Sequence, residues 1–138
     1  ALANGVGRIF WGALSDRLGR ACVMRLILGT QIGAFGALLA TTSPWVFAAL
    51  VCYVLLCYGG GFGTMPSYAA DVFGSMRMPR VYGALLTAWS AAGLLGPQVA
   101  ATIKDHFPER ASSSTFLCAA LLLAIGFGLC WWQPRSKD

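Results

Sequence analysis

The sequence predicts an all-α membrane protein, and three observations carry that prediction. Hydrophobic residues make up 57% of the 138 residues and charged residues only 11%. An average globular domain carries roughly 25% charged residues, so these few charges cannot cover a water-exposed surface. The charges are also absent over long stretches: none lies between Arg25 and Asp71, between Arg80 and Lys104, or between Arg110 and Arg135. A helix needs roughly 20 apolar residues to cross the hydrocarbon core.

The spans follow from the gaps. The first gap holds two crossings, split by the turn residues Thr41–Pro44, and the other two hold one each. The expected spans are about 23–41, 45–67, 80–103 and 113–132. A partial span, 1–14, precedes them. It has no basic leader, so it reads as an incomplete span rather than a signal peptide, and the chain is expected to lack its front.

The connections are polar. Gly74 is a helix stop and Pro79 lies near a helix start. The loop 104–114 carries Lys104, Asp105, Glu109 and Arg110, and its serines Ser112, Ser113 and Ser114 are expected to cap the last helix. Trp45 and the pair Trp131, Trp132 fall where an aromatic belt belongs.

A net charge of +5 raises the question of nucleic acid. The placement of the charges answers it. If the segment after Leu14 is cytoplasmic, seven basic residues share that side: Arg17, Arg20, Arg25, Arg77, Arg80, Arg135 and Lys137. Only Lys104 and Arg110 lie opposite, with Arg8 inside a span. That is the positive-inside bias, and it places the C-terminus in the cytoplasm of a multi-pass protein of a plasma or bacterial inner membrane. No nucleic-acid partner is expected.

The five cysteines fall in or at the ends of spans with no CxxC spacing, and His106 stands alone in a loop. Neither calls for a metal, and no cofactor is expected. No Ser/His/Asp set and no paired carboxylates occur within a span, so no enzyme is expected. Gly59–Gly63 fails as a dinucleotide loop, because no strand precedes it. These glycines and Pro66 make that span thin and bendable, as Gly93, Gly96 and Pro97 do for the next. Gly29 and Gly33 have the spacing that lets two membrane helices approach closely.

Gly12-Ala-Leu-Ser-Asp16-Arg17-Leu-Gly19-Arg20 resembles the G-x-x-x-D-[RK]-x-G-[RK] signature of the major facilitator superfamily. Ala21 stands where a further basic residue often follows. The residue types fit a cytoplasmic gate. Gly12 admits a neighbouring helix, and Asp16 can face the positive end of another helix. Arg17 and Arg20 need an acid at another inner helix end, and Asp71 is the candidate. Asn4–Arg20, Tyr68–Gly74 and Tyr82–Pro97 resemble the oxalate/formate antiporter branch, which includes lactate-type monocarboxylate carriers. The resemblance implies part of helix eight and helices nine to twelve of a twelve-helix fold, acting with the missing N-terminal half. It implies secondary transport of a small organic anion by alternating access, and it admits a co-transported proton.

Arg8 lies six residues from Leu14, roughly 9 Å along a helix. A cation there costs at least ~2.5 kcal/mol unless it faces a cavity and a partner. Two readings stand. Arg8 can bind a carboxylate bidentately, or it can snorkel to the inner headgroups. By the resemblance, the spans that line the path contain Arg8, Tyr58 and Trp89, with Asn4, Thr87 and Ser90 as polar companions. Packing is an equal reading for Tyr58 and Trp89. Trp89 and Ser90 occupy the middle of their span without a lysine, which favours a monoanion or moves a second cation to the missing half. Two rivals remain: a carrier of neutral or drug-like solutes, and a membrane scaffold or receptor that reuses the fold.

Overall fold

The computed structural model describes residues 1–131. Five α-helices run in order: α1 Leu2–Leu18, α2 Arg20–Ala40, α3 Pro44–Phe73, α4 Met78–His106 and α5 Ala111–Trp131, with a 3-10 turn at Pro108–Arg110 before α5. Four of these segments are long and apolar enough to cross a membrane: Arg20–Ala40, Pro44–Phe73, Met78–His106 and Pro108–Trp131.

Each stretch read as a span is helical, and most of these helices run past the expected ends. α1 continues beyond Leu14 through Asp16 and Arg17, and α3 extends from the expected end at residue 67 to Phe73. Charged residues end the apolar run, yet they keep helical backbone because nothing in them breaks it. The breaks come at Gly19 and Gly74, with φ of 87° and 82°, a region that L side chains rarely adopt. The expected loop between the first two spans is therefore a single residue, Gly19. The loop 104–114 is also mostly helical. α5 starts at Ala111, which puts Ser112, Ser113 and Ser114 inside its first turns rather than at its cap. Trp132 and the tail carrying Arg135 and Lys137 lie outside the described residues.

α1 packs chiefly on α3, and α2 on α5 and α3; α4 leans on α3 and α5. The core sits between the first three helices, where Trp11, Val23, Ile27 and Cys57 are buried against Leu14, Tyr53 and Leu56. Glycine makes the α1–α3 seam. A Cβ on Gly7 would strike the Leu56 carbonyl, and one on Gly59 the Asn4 carbonyl. A Cβ on Gly60 would strike the Trp11 ring, while one on Gly63 would come to 3.0 Å from the Arg8 carbonyl oxygen. The expected seam at Gly29 and Gly33 is not where backbones meet. Gly33 has open space beside it, and Gly29 faces the Phe127 ring, 3.3 Å from an ideal Cβ.

At one end of the bundle, two arginines of α2 hold the C-terminal ends of two other helices. Arg20 reaches the end of α3, and the Arg25 Nε donates to the Cys130 carbonyl at 3.4 Å near the end of α5. The Arg25 guanidinium also lies 5.1 Å from the Trp131 ring centre. Cations suit helix C-termini, whose carbonyls carry partial negative charge. The Gly19 corner, the α3–α4 turn and the end of α5 thus share one side.

Candidate functional site

Two groups of polar residues stand out in this apolar frame: a charged cluster at the arginine end and a lone, exposed cation near the middle of α1. In the cluster, Arg20 Nη1 donates to Asp71 Oδ1 at 2.5 Å and to the Ser67 carbonyl at 3.3 Å. Its Nη2 lies 3.9 Å from Asp16 Oδ1, one helical turn back across Gly19. One guanidinium thus bridges the α1–α2 corner to the end of α3, the pairing with Asp71 that the sequence called for. The other gate expectations fare differently. Arg17 makes no ion pair among the described residues, and Gly12 has open space where a neighbouring helix was expected. The Gly12 carbonyl instead accepts a hydrogen bond from Ser15 Oγ at 2.7 Å. Asp16 is mostly exposed, and among the described residues it meets Arg20 rather than a helix N-terminus.

The lone cation is Arg8. Measured from Asp16, it lies eight residues into α1, roughly 12 Å at 1.5 Å per residue. The half-thickness of the hydrocarbon core is roughly 15 Å. The guanidinium sits 5.8 Å from the centre of the Phe62 ring on α3, within the range of a cation–π contact. Among the described residues it makes no ion pair. Phe62 is also the hub of an aromatic trio. Its ring centre is 5.3 Å from that of Tyr58 and 4.8 Å from that of Trp89, both edge-on. Tyr58 and Trp89 lie 6.5 Å apart. Arg8, Tyr58 and Trp89, from three helices, therefore meet around Phe62.

Sequence reasoning missed Phe62, although a signal was present. It stands four residues after Tyr58, hence on the same helical face. It is also the residue whose carbonyl loses its intrahelical donor, because Pro66 has no N–H. α3 continues through Pro66, and α4 continues through Gly93, Gly96 and Pro97.

The trio borders a cavity of about 210 Å³ between α2, α3 and α4. Met24, Ile27 and Gln31 close it on the α2 side, with Tyr82 and Leu86 on the α4 side. Arg8, Asn4, Thr87 and Ser90 are not among its walls. The Thr87 and Ser90 hydroxyls turn back onto their own helix, donating to the Ala84 and Leu86 carbonyls at 2.7 and 2.9 Å. Asn4 contributes its backbone to the glycine seam. The cation and the cavity are therefore neighbours that share Phe62 as a wall.

The family model for the Major Facilitator Superfamily matches residues 1–138. The chain belongs to this superfamily. As a Major Facilitator chain with these spans, it is a multi-pass integral membrane protein. It is 30% identical over 130 residues to the oxalate:formate antiporter of Oxalobacter formigenes, covering 93% of this chain and 30% of that protein. It is 32% identical over 140 residues to apicoplast pyruvate carrier 1 of Toxoplasma gondii, covering 97% of this chain and 25% of the carrier. A Major Facilitator protein named for multidrug resistance, MdtG of Salmonella arizonae, is 30% identical over 147 residues, covering 99% of this chain and 34% of MdtG. The chain thus spans about a third or less of the length of these relatives. No solved structure matches it.

Proposed function

We propose that this chain is the last part of the C-terminal half of a secondary transporter, helix eight in part and helices nine to twelve, and that the complete protein carries a small organic anion. The observation that carries this reading is Arg8: a cation within the membrane, without an acid among the described residues, beside an aromatic-walled cavity. A carboxylate is its natural partner, because a guanidinium donates to both of its oxygens at once. A single cation suits a monoanion. Similarity to an oxalate:formate antiporter and to a pyruvate carrier supports the substrate class. The Arg20, Asp16 and Asp71 cluster is the proposed inner gate, which parts when the two halves rock about the central site. Asp16, Asp71, Asp105 and Glu109 all stand near helix ends, so a proton-coupling carboxylate in the bilayer interior would belong to the rest of the protein.

The test is counterflow in proteoliposomes made with the complete transporter. Labelled formate, lactate and pyruvate should exchange against an internal monocarboxylate, and neutral solutes of the same size should not compete. Exchange of apolar cations or neutral drugs, without competition by carboxylates, would overturn the reading in favour of the multidrug one. The similarity to MdtG and the apolar cavity walls support that second reading. No exchange of any solute would favour a scaffold or receptor.

The same proposal orients the chain with its arginine end, and hence its C-terminus, in the cytoplasm. In a version whose native cysteines are replaced, Thr42→Cys should react with an impermeant thiol reagent from outside intact cells, and Ser75→Cys should react only after permeabilisation. The opposite pattern would invert the topology.

A further inference from the structure

Gln31 is the polar residue that neither the cluster nor the Arg8 site uses. The residue is 8% exposed, and it forms part of the cavity wall on the α2 side. Its neighbour in the core, Thr64, is paired: Thr64 Oγ1 donates to the Gly60 carbonyl at 2.8 Å and lies 3.3 Å from the Met24 sulfur. Among the described residues, no hydrogen bond reaches the Gln31 carboxamide. An amide away from water costs free energy unless it is paired, and in a membrane bundle it pairs either with another helix or with what fills the cavity beside it.

Its depth matches the Arg8 site. Taking the Arg20 cluster as a common level, Gln31 lies eleven residues along α2, Phe62 nine residues from Asp71, and Arg8 eight from Asp16. At 1.5 Å per residue these are roughly 16, 14 and 12 Å, all near the middle of the bilayer. Phe62 links the two ends of this layer. Its ring lies against the Arg8 guanidinium and forms part of the cavity wall that Gln31 also lines from α2.

We propose that Gln31 is a specificity-determining residue. It hydrogen-bonds an uncharged polar group, a hydroxyl or carbonyl, on the tail of a monocarboxylate whose carboxylate is held by Arg8. This rests on the anion reading above and narrows it. The substrate has one charge, an apolar body and a distal oxygen. The cavity sets the size: a cavity of about 150 Å³ accepts benzene, and this one measures about 210 Å³. A ring or a short carbon chain fits against Tyr58, Phe62 and Trp89. The carboxamide supplies both a donor and an acceptor, so a hydroxyl at that point can be satisfied in either sense.

The test compares matched acids as competitors of uptake by the complete transporter in proteoliposomes. The pairs are butyrate with 4-hydroxybutyrate, and phenylacetate with 4-hydroxyphenylacetate; propionate serves as the short reference. The native protein should favour the hydroxylated member of at least one pair by roughly 3- to 10-fold, the worth of one neutral hydrogen bond. Gln31→Leu should erase that preference and leave propionate competition unchanged. Gln31→Met, unbranched and close in size, gives the same readout if the leucine variant folds poorly. No preference in the native protein, or a preference that survives both variants, overturns the proposal. So does an equal loss for all five acids, which would make Gln31 a bond between helices. The anion reading fails separately, if propionate binding is indifferent to Arg8→Gln.

Discussion

Arg8→Gln in the complete transporter is expected to lower carboxylate affinity by about 30- to 5,000-fold. That range corresponds to the roughly 2–5 kcal/mol lost when one partner of a buried charge pair is removed. The cation sits within the membrane on α1, and its described neighbour is the Phe62 ring rather than an acid. A ring face steadies a guanidinium but leaves its in-plane N–H donors free, so a ligand's carboxylate can still take them in pairs. Arg8→Lys should therefore be intermediate, because it keeps the charge and loses the fork. Affinity should be read by calorimetry or ligand-induced thermal shift on purified protein. Near-native affinity in a well-folded Arg8→Gln protein would remove Arg8 from the binding site.

The second large effect is expected at Gly59. An added methyl meets the Asn4 carbonyl, which is backbone and cannot rotate aside, so α1 and α3 must separate. Overpacking of a tight contact costs roughly 1–3 kcal/mol. Here the separation also disturbs the contacts of Gly63 with Arg8 and of Gly60 with Trp11. Gly59→Ala should lower the thermal midpoint in detergent, and Gly7→Ala should do the same from the other helix. Gly33→Ala is the control, since its Cβ would meet nothing within 4 Å. There the better helix propensity of alanine acts alone, so the midpoint should hold or rise. Equal responses at Gly59 and Gly33 would mean that the seam does not hold the two helices together.

The contrast between these glycines shows what a single sequence can and cannot carry. Spans were legible because charge is scarce and its absence is a long-range signal. The pairing of Arg20 with Asp71 was legible for the same reason: few acids were on offer. The helix ends were not, because Asp16 and Arg17 end the apolar run without ending the helix, and only Gly19 and Gly74 do that. A small-residue spacing has no address. Gly29 and Gly33 carry it as well as Gly59 and Gly63 do, and only packing shows which pair faces a backbone. Phe62 and Gln31 were hidden for a related reason. In a helix that is apolar all round, no periodicity marks the inner face, so an aromatic residue or one amide gives no sign of what it lines.

The joint at Gly19 has a consequence for how the protein enters the membrane. With one residue between α1 and α2, there is no slack for the first helix to settle before the second is made. A corner this tight suits entry into lipid as one helical hairpin, with Asp16, Arg17 and Arg20 at its tip. Arg8 then crosses the greasy interior already accompanied by a second, uncharged helix, which lightens the penalty of carrying a cation inward. Biogenesis, rather than gating alone, is a reason for the corner to be so short.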